Sequence, residues 1–402
     1  MNARTALPTA DPVNSADIAT SNLGTLRAER AIARSVTRRT WKGAVGIGVT
    51  FGVVAASSAL SYVSSFPTEA SRRTMAAGLS GASSFSILFG SVARIGSVGG
   101  YTAYKSFVFL TTIGAVWAIL TTTRQLRGEE ESGRWFLLIS GRTQAVRATG
   151  ATLAGIGVSL AVALALTTFI TALAGARSTV GFSPWDSLVF AAASVMPAIV
   201  FAGVAAVASQ LARTRRLANV IAMGCFAVLF VVRMLGDVGD SRPALLWATP
   251  MGWTELVEPL SQNSLRPFLA GATATALLVA TALLLAAHRD SGDGIFATHE
   301  TRPLRPLGLG STLGLSARLT ASLTLAWVIG ILTTSFVFGV VTHSAVSALT
   351  SSESTSSTLT KLGAPGGGVP AFLGVIFILL GTILALVPAG LIGSARDEEA
   401  SG

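Results

Sequence analysis

Three consecutive glutamates stand in "RGEEESGRW", Arg127 to Trp135, in a chain whose formal net charge is +10. Acids bracketed by arginines suit ion pairing rather than bond-making, and the chain shows no Ser-His-Asp order and no His/Glu metal motif to go with them. Elsewhere the residues that do covalent or metal chemistry are sparse. His288, His299 and His343 lie far apart and show no ligand spacing. Cys225, the single cysteine, sits within an apolar run and has no partner for a disulfide. The three lysines, Lys42, Lys105 and Lys361, each lack the "GxxxxGK[ST]" context that cradles a nucleotide phosphate. His288-Arg289-Asp290 follows an apolar run and reads as a solvated boundary. No catalytic residue, resident cofactor or metal set is expected, and no nucleic-acid partner.

The acidic phrase returns as "ARDEEASG", Ala395 to Gly402. Aligning Gly133 with Gly402, an offset of 269, makes five positions of seven identical. Arg127, Glu129, Glu130, Gly133 and the serine before it thus have counterparts in Arg396, Glu398, Glu399, Gly402 and their neighbour.

What holds these phrases is apolar. Charged residues make up 12% of the chain and hydrophobic ones 51%, where a soluble domain carries about 25% charged residues. Eight runs reach the roughly 20 residues that a helix needs to cross hydrocarbon: 43–64, 102–123, 151–175, 187–211, 218–236, 267–287, 321–343 and 370–393. The fold class is therefore all-α and polytopic, with about eight spans in the lipid bilayer. The first 41 residues are polar, too long for the charged start of a cleavable leader, so the first run stays in the membrane. Of the 29 lysines and arginines, 20 fall on the side of the N-terminus, which makes that side cytoplasmic. Both acidic phrases fall on it too.

The 269-residue offset also lays the second run on the eighth, and "TWKGAVGIGVTFG" resembles "AWVIGILTTSFVFG" at a slightly different offset. The first and second runs thus correspond to the seventh and eighth. The expected organisation is a disordered tail over 1–23, an amphipathic helix over 24–41, a six-helix half over 42–288, a cytoplasmic linker over 289–320, and over 321–402 the first two helices of a second half. Four further spans would complete that half.

On a helix, Arg27, Arg30, Arg34 and Arg38 fall within about 80° of one another, opposite Ala28, Ile32 and Val36. That pattern suits a basic helix lying on the inner leaflet; positive charge on a disordered tail is the other reading. In "EEESGRWFLLISGR" the acids come first and Arg134 and Arg142 later, which suits a helix macrodipole. Its apolar core, Trp135 to Ile139, is too short to span and could press on the membrane surface or a partner. A solvated turn is the alternative. Gly48 and Gly52 are spaced for close helix packing, and Pro197 and Pro388 should kink their spans. Trp247 and Trp253 around Pro250 suggest short interfacial helices on the outer side.

The loop after the second span, "R-x-E-E-E-x-G-R" followed by an apolar cluster and further arginine, resembles the permeases of ABC-2-type exporters. It is most similar to the long actinobacterial permeases with two fused six-span halves, associated with tetronasin-type antibiotic and drug efflux. "WATPMGW" and "HRDSGDG" resemble the corresponding segments of that family, whereas Trp135, Phe136 and "SGRTQ" stand where many members carry Leu-Glu and a later proline. The resemblance implies a plasma-membrane transport subunit with no ATP site of its own. ATP and magnesium would sit on a separate ABC ATPase, present in two copies. Arg127, Glu129, Glu130, Glu131, Gly133, Arg134, Trp135 and Arg142 would form a coupling helix that plugs into that ATPase, with Arg396, Glu398, Glu399 and Gly402 as the second copy. The 24–41 segment would be the family's elbow helix. The cargo would be an amphiphilic small molecule. A secondary carrier and a non-transporting scaffold or sensor are the rival functions; the absence of ionisable groups from mid-span weakens the first of these.

Overall fold

The computed structural model describes residues 15–80, 95–133, 144–237 and 243–288, with the isolated positions Ser311 and Gly314. The expected seventh and eighth spans, the linker over 289–320 and the second acidic phrase lie outside the described residues. All described elements are helical: α1 (Ser15–Ser65), α2 (Glu69–Ser80), α3 (Val98–Thr123), α4 (Ala145–Gly175), α5 (Pro184–Leu211), α6 (Arg215–Gly236), α7 (Pro243–Trp247), α8 (Pro250–Val257) and α9 (Arg266–His288). After α3 the chain passes through a π turn, Arg124–Gly128, and one helical turn, Glu129–Glu131. Six of these helices are long and apolar enough to cross a membrane, and they coincide with the first six runs in the sequence.

Helix α5 is the hub. Its sequence is mostly small residues, and Ala191, Ala193, Ala198, Ala205 and Ala206 are all at most 1% exposed. Lipid tails are as apolar as leucine, so helices associate in a bilayer where small side chains let backbones approach. Ser183 opens α5 as a reciprocal cap: its hydroxyl accepts from the Asp186 N–H while the Asp186 carboxylate accepts from the Ser183 N–H. Pro197 sits inside α5, within the buried core, where a proline removes a backbone hydrogen bond.

Helices α1 and α4 form the tightest seam. A Cβ on Gly155 would lie 2.6 Å from the Ala33 carbonyl oxygen, and one on Gly48 would lie 2.8 Å from that of Ala163. Hydroxyls stitch the same seam. Thr40 Oγ1 and Ser159 Oγ are 2.6 Å apart, and Thr37 donates to the Gly155 carbonyl at 3.1 Å. Gly52 meets Ile170 in the same way, as the Gly48–Gly52 spacing anticipated.

The N-terminal segment differs from its expected form. Helix starts at Ser15, inside the stretch read as a disordered tail, and runs without interruption into the first span. The basic stripe is present: Arg27, Arg30, Arg34 and Arg38 are all exposed. The opposite face, with Ile32 and Val36 each 6% exposed, packs on α4 at Gly155 rather than on a lipid surface. No glycine or proline stands between Gly24 and Gly43 to break the helix.

Candidate functional site

The end of α3 is where the acidic phrase begins. The π turn brings Arg127 inward, and its side chain is 1% exposed. Its Nε donates to the Arg213 carbonyl at 2.7 Å, and Nη1 reaches Glu130 Oε2 at 2.7 Å. Glu129 pairs with Arg39 of α1 at 2.8 Å. Glu131 Oε1 accepts from the backbone N–H of Arg215, the first residue of α6, at 2.8 Å. A carboxylate at a helix N-terminus also meets the positive end of its dipole.

The three glutamates therefore fasten the end of α3 to α1, to itself and to α6. The resemblance implied acids that plug into a partner, but Glu129 and Glu130 are 8% and 7% exposed and are engaged within the chain. Glu131, Ser132 and Gly133 form the exposed tip of the described segment. Gly133 turns the chain with φ at +73°, a conformation that favours glycine. Arg134, Trp135 and Arg142 lie outside the described residues, as do Arg396, Glu398, Glu399 and Gly402. Among the elbow residues, Arg27, Arg30, Arg34 and Arg38 line the exposed face of α1 at the same end of the bundle as the phrase.

The opposite end holds a charged cluster that sequence reasoning did not single out. Arg233 of α6 is 1% exposed and contacts both Asp237, at 3.2 Å, and Glu255 of α8. The tryptophans beside it stand on the two short helices α7 and α8 that the sequence suggested around Pro250. Trp253 is 8% exposed, and its indole N–H donates to the Trp247 carbonyl. The i,i+4 spacing of Arg233 and Asp237 was readable, because arginine at the end of an apolar run calls for a counterion. Glu255 lies 22 residues further on and carries no such signal.

Two carboxylates face one guanidinium there, and burial pushes both Glu255 and Asp237 above the ordinary carboxylate range. Arg233 opposes the rise at each, and the negative charge of Asp237 adds to it at Glu255. A carboxyl whose pKa is raised by folding binds its proton more tightly folded than unfolded. Its contribution to stability is thus full below the unfolded value and is lost as pH rises through the folded one. The melting temperature of the purified protein should fall between pH 5 and pH 8, and Glu255→Gln should flatten that slope. A wild-type melting temperature independent of pH over this interval would mean both carboxylates stay ionised.

Six long apolar helices around a small-residue hub, with basic residues gathered at one end, define an all-α polytopic membrane protein. The sequence profile of the family described as "Multidrug efflux system permease Rv1217c, C-terminal domain" matches residues 78–287 and 309–402. The chain belongs to this family. It is 31% identical over 337 residues to the Multidrug efflux system permease protein Rv1217c of Mycobacterium tuberculosis (strain H37Rv). That alignment covers 83% of this chain and 59% of the relative, so the chain spans about three-fifths of the length of the curated relative it matches.

Proposed function

We propose that this chain is the membrane-spanning part of an ATP-driven exporter of the ABC-2 type, moving an amphiphilic drug or antibiotic out across the plasma membrane. The observation that carries the reading is the family match to a multidrug efflux permease. The acidic phrase supplies the means of coupling. It is anchored to three helices at once, so a force applied at its tip reaches α1, α3 and α6 together. A separate ATPase, in two copies, would carry ATP and magnesium and press on that tip at Glu131 and the segment beyond it. The excess of arginines at the Arg39 end supports a cytoplasmic position for that end and for the N-terminus.

Two experiments test this. In a Cys225→Ser background, single cysteines at Ser132 and Ser178 stand at opposite ends of the bundle and are exposed. An impermeant thiol reagent outside intact cells should label the variant at 178 and spare the one at 132; the reverse pattern overturns the orientation. Co-purification with an ABC ATPase encoded beside this gene should then show ATP hydrolysis stimulated by the exported compound. Glu131→Lys should weaken that capture by a few-fold, since exposed ion pairs contribute about 0.2–1 kcal/mol each.

A proton-driven carrier is the second reading, favoured by the buried Asp237 and Glu255 carboxyls. Export from ATP-depleted, energised vesicles would select it over the ATPase-driven one.

A further inference from the structure

A cavity of about 780 Å³ opens at the Arg39 end of the bundle, between α1, α3 and the start of α6. Three guanidinium groups line it, those of Arg39, Arg124 and Arg215, against the single carboxylate of Glu129. Glu129 already pairs with Arg39. Arg124 has no carboxylate partner among the described residues, and Arg215 Nε is buried with no hydrogen-bond partner among them. Gln125, 5% exposed, also lines the cavity, and its side-chain Oε1 is buried with no partner. Buried polar groups are nearly always satisfied, so a cavity wall with both a donor and an acceptor left over points to something that completes it.

Apart from Thr40 and Thr121, the remaining wall is apolar. Trp117 and Leu120 belong to it, and Gly43 faces the Trp117 indole so closely that a Cβ there would lie 2.6 Å from Nε1. Trp117 lies seven residues before Arg124 on one continuous helix, which puts it about 10 Å deeper along the span. A guest must therefore carry negative charge at one level and apolar substance about 10 Å below it. A hydroxyl at the charged level would satisfy Gln125 Oε1.

We infer that this cavity binds the phosphodiester headgroup of an anionic phospholipid from the leaflet at the Arg39 end, with phosphatidylglycerol the matching chemistry. The phosphate oxygens accept from Arg124 and Arg215, the glycerol hydroxyls donate to Gln125, and the first part of the acyl chains lies along Trp117 and Leu120. The site is independent of the export reading, because it needs no ATPase and no gradient to fill.

The test uses the full chain reconstituted in phosphatidylcholine vesicles with acyl chains brominated near the headgroup on a minor lipid. The fluorescence due to Trp117 is the difference between the wild type and Trp117→Phe. Brominated phosphatidylglycerol should quench that difference at about tenfold lower mole fraction than brominated phosphatidylcholine, given a net excess of two positive charges at the site. Arg124→Gln with Arg215→Gln should remove the preference while leaving quenching by the neutral lipid unchanged. Equal quenching by both lipids in the wild-type protein overturns the inference without recourse to any variant. Relief of quenching by inorganic phosphate at matched concentration overturns it as well, because the cavity would then read free phosphate rather than a lipid.

Discussion

Arg127→Ala should be the most damaging single change at the acidic phrase. It would leave the Glu130 carboxylate, 7% exposed, without the guanidinium that faces it at 2.7 Å. It would also strip a charged donor from the Arg213 carbonyl. Breaking a buried pair by deleting one partner typically costs about 3–5 kcal/mol, because the other charge stays buried. The expected result is a melting temperature lowered by several degrees and a smaller monodisperse fraction in detergent. Removing both charges is a different operation. Arg127→Met combined with Glu130→Leu removes both charges of the pair, and buried pairs replaced by apolar residues are often neutral. The double variant should therefore recover most of the loss, apart from the bond to Arg213. A double variant as unstable as Arg127→Ala would show that the cost came from that carbonyl contact.

This bears on how the coupling proposal is tested. Reversing Glu129, Glu130 and Glu131 together to lysine would place a cation against Arg39, another against Arg127 and a third at the N-terminus of α6. Loss of a partner ATPase in such a protein would report a damaged anchor as readily as a lost docking contact. Glu131 alone is exposed, and its reversal disturbs only the contact to the α6 N-terminus while leaving the Glu129–Arg39 and Glu130–Arg127 pairs in place.

The first six spans were legible because hydrocarbon imposes its own length. The run at 151–175 is the body of α4, and the cut at "RTRR" is the break between α5 and α6. Small residues marked the helix seams for the same reason, Gly48 and Gly52 among them. Polar partners were not legible. Glu129 finds Arg39 90 residues back, and nothing in either neighbourhood names the other. The elbow shows the limit most plainly. The arginine stripe and the Ile32–Val36 face were both readable at 3.6-residue spacing, but a face says only that something apolar covers it. Here the cover is α4 at Gly155, brought there by the chain's own seam rather than by lipid. Glu255 was missed for a related cause: it stands 22 residues from Arg233 in sequence, and nothing local shows that α8 folds back onto that arginine.

That seam yields the second large effect. Gly155→Leu would set a Cβ 2.6 Å from the Ala33 carbonyl oxygen and 2.9 Å from Val36 Cβ. The first of these is backbone, which cannot swing aside, so α1 and α4 must separate. Overpacking usually costs about 1–3 kcal/mol. Separation would also forfeit the Thr37–Gly155 and Thr40–Ser159 hydrogen bonds, worth about 0.6 kcal/mol each on average between membrane helices. It would shift α1 as well, and with it Arg39 away from Glu129. Gly157 is the control, two residues along the same helix. A Cβ there meets nothing within 4 Å, so Gly157→Leu should be tolerated, with the better helix propensity of leucine favouring the variant. Gly46, equally open, and Gly48, closed against Ala163, repeat the comparison on α1. Expression and melting temperature of the four leucine variants should fall into two pairs, with 155 and 48 damaged and 157 and 46 near wild type. If all four behaved alike, helix propensity rather than backbone contact would govern this part of the bundle, and the close α1–α4 seam would not exist in the membrane.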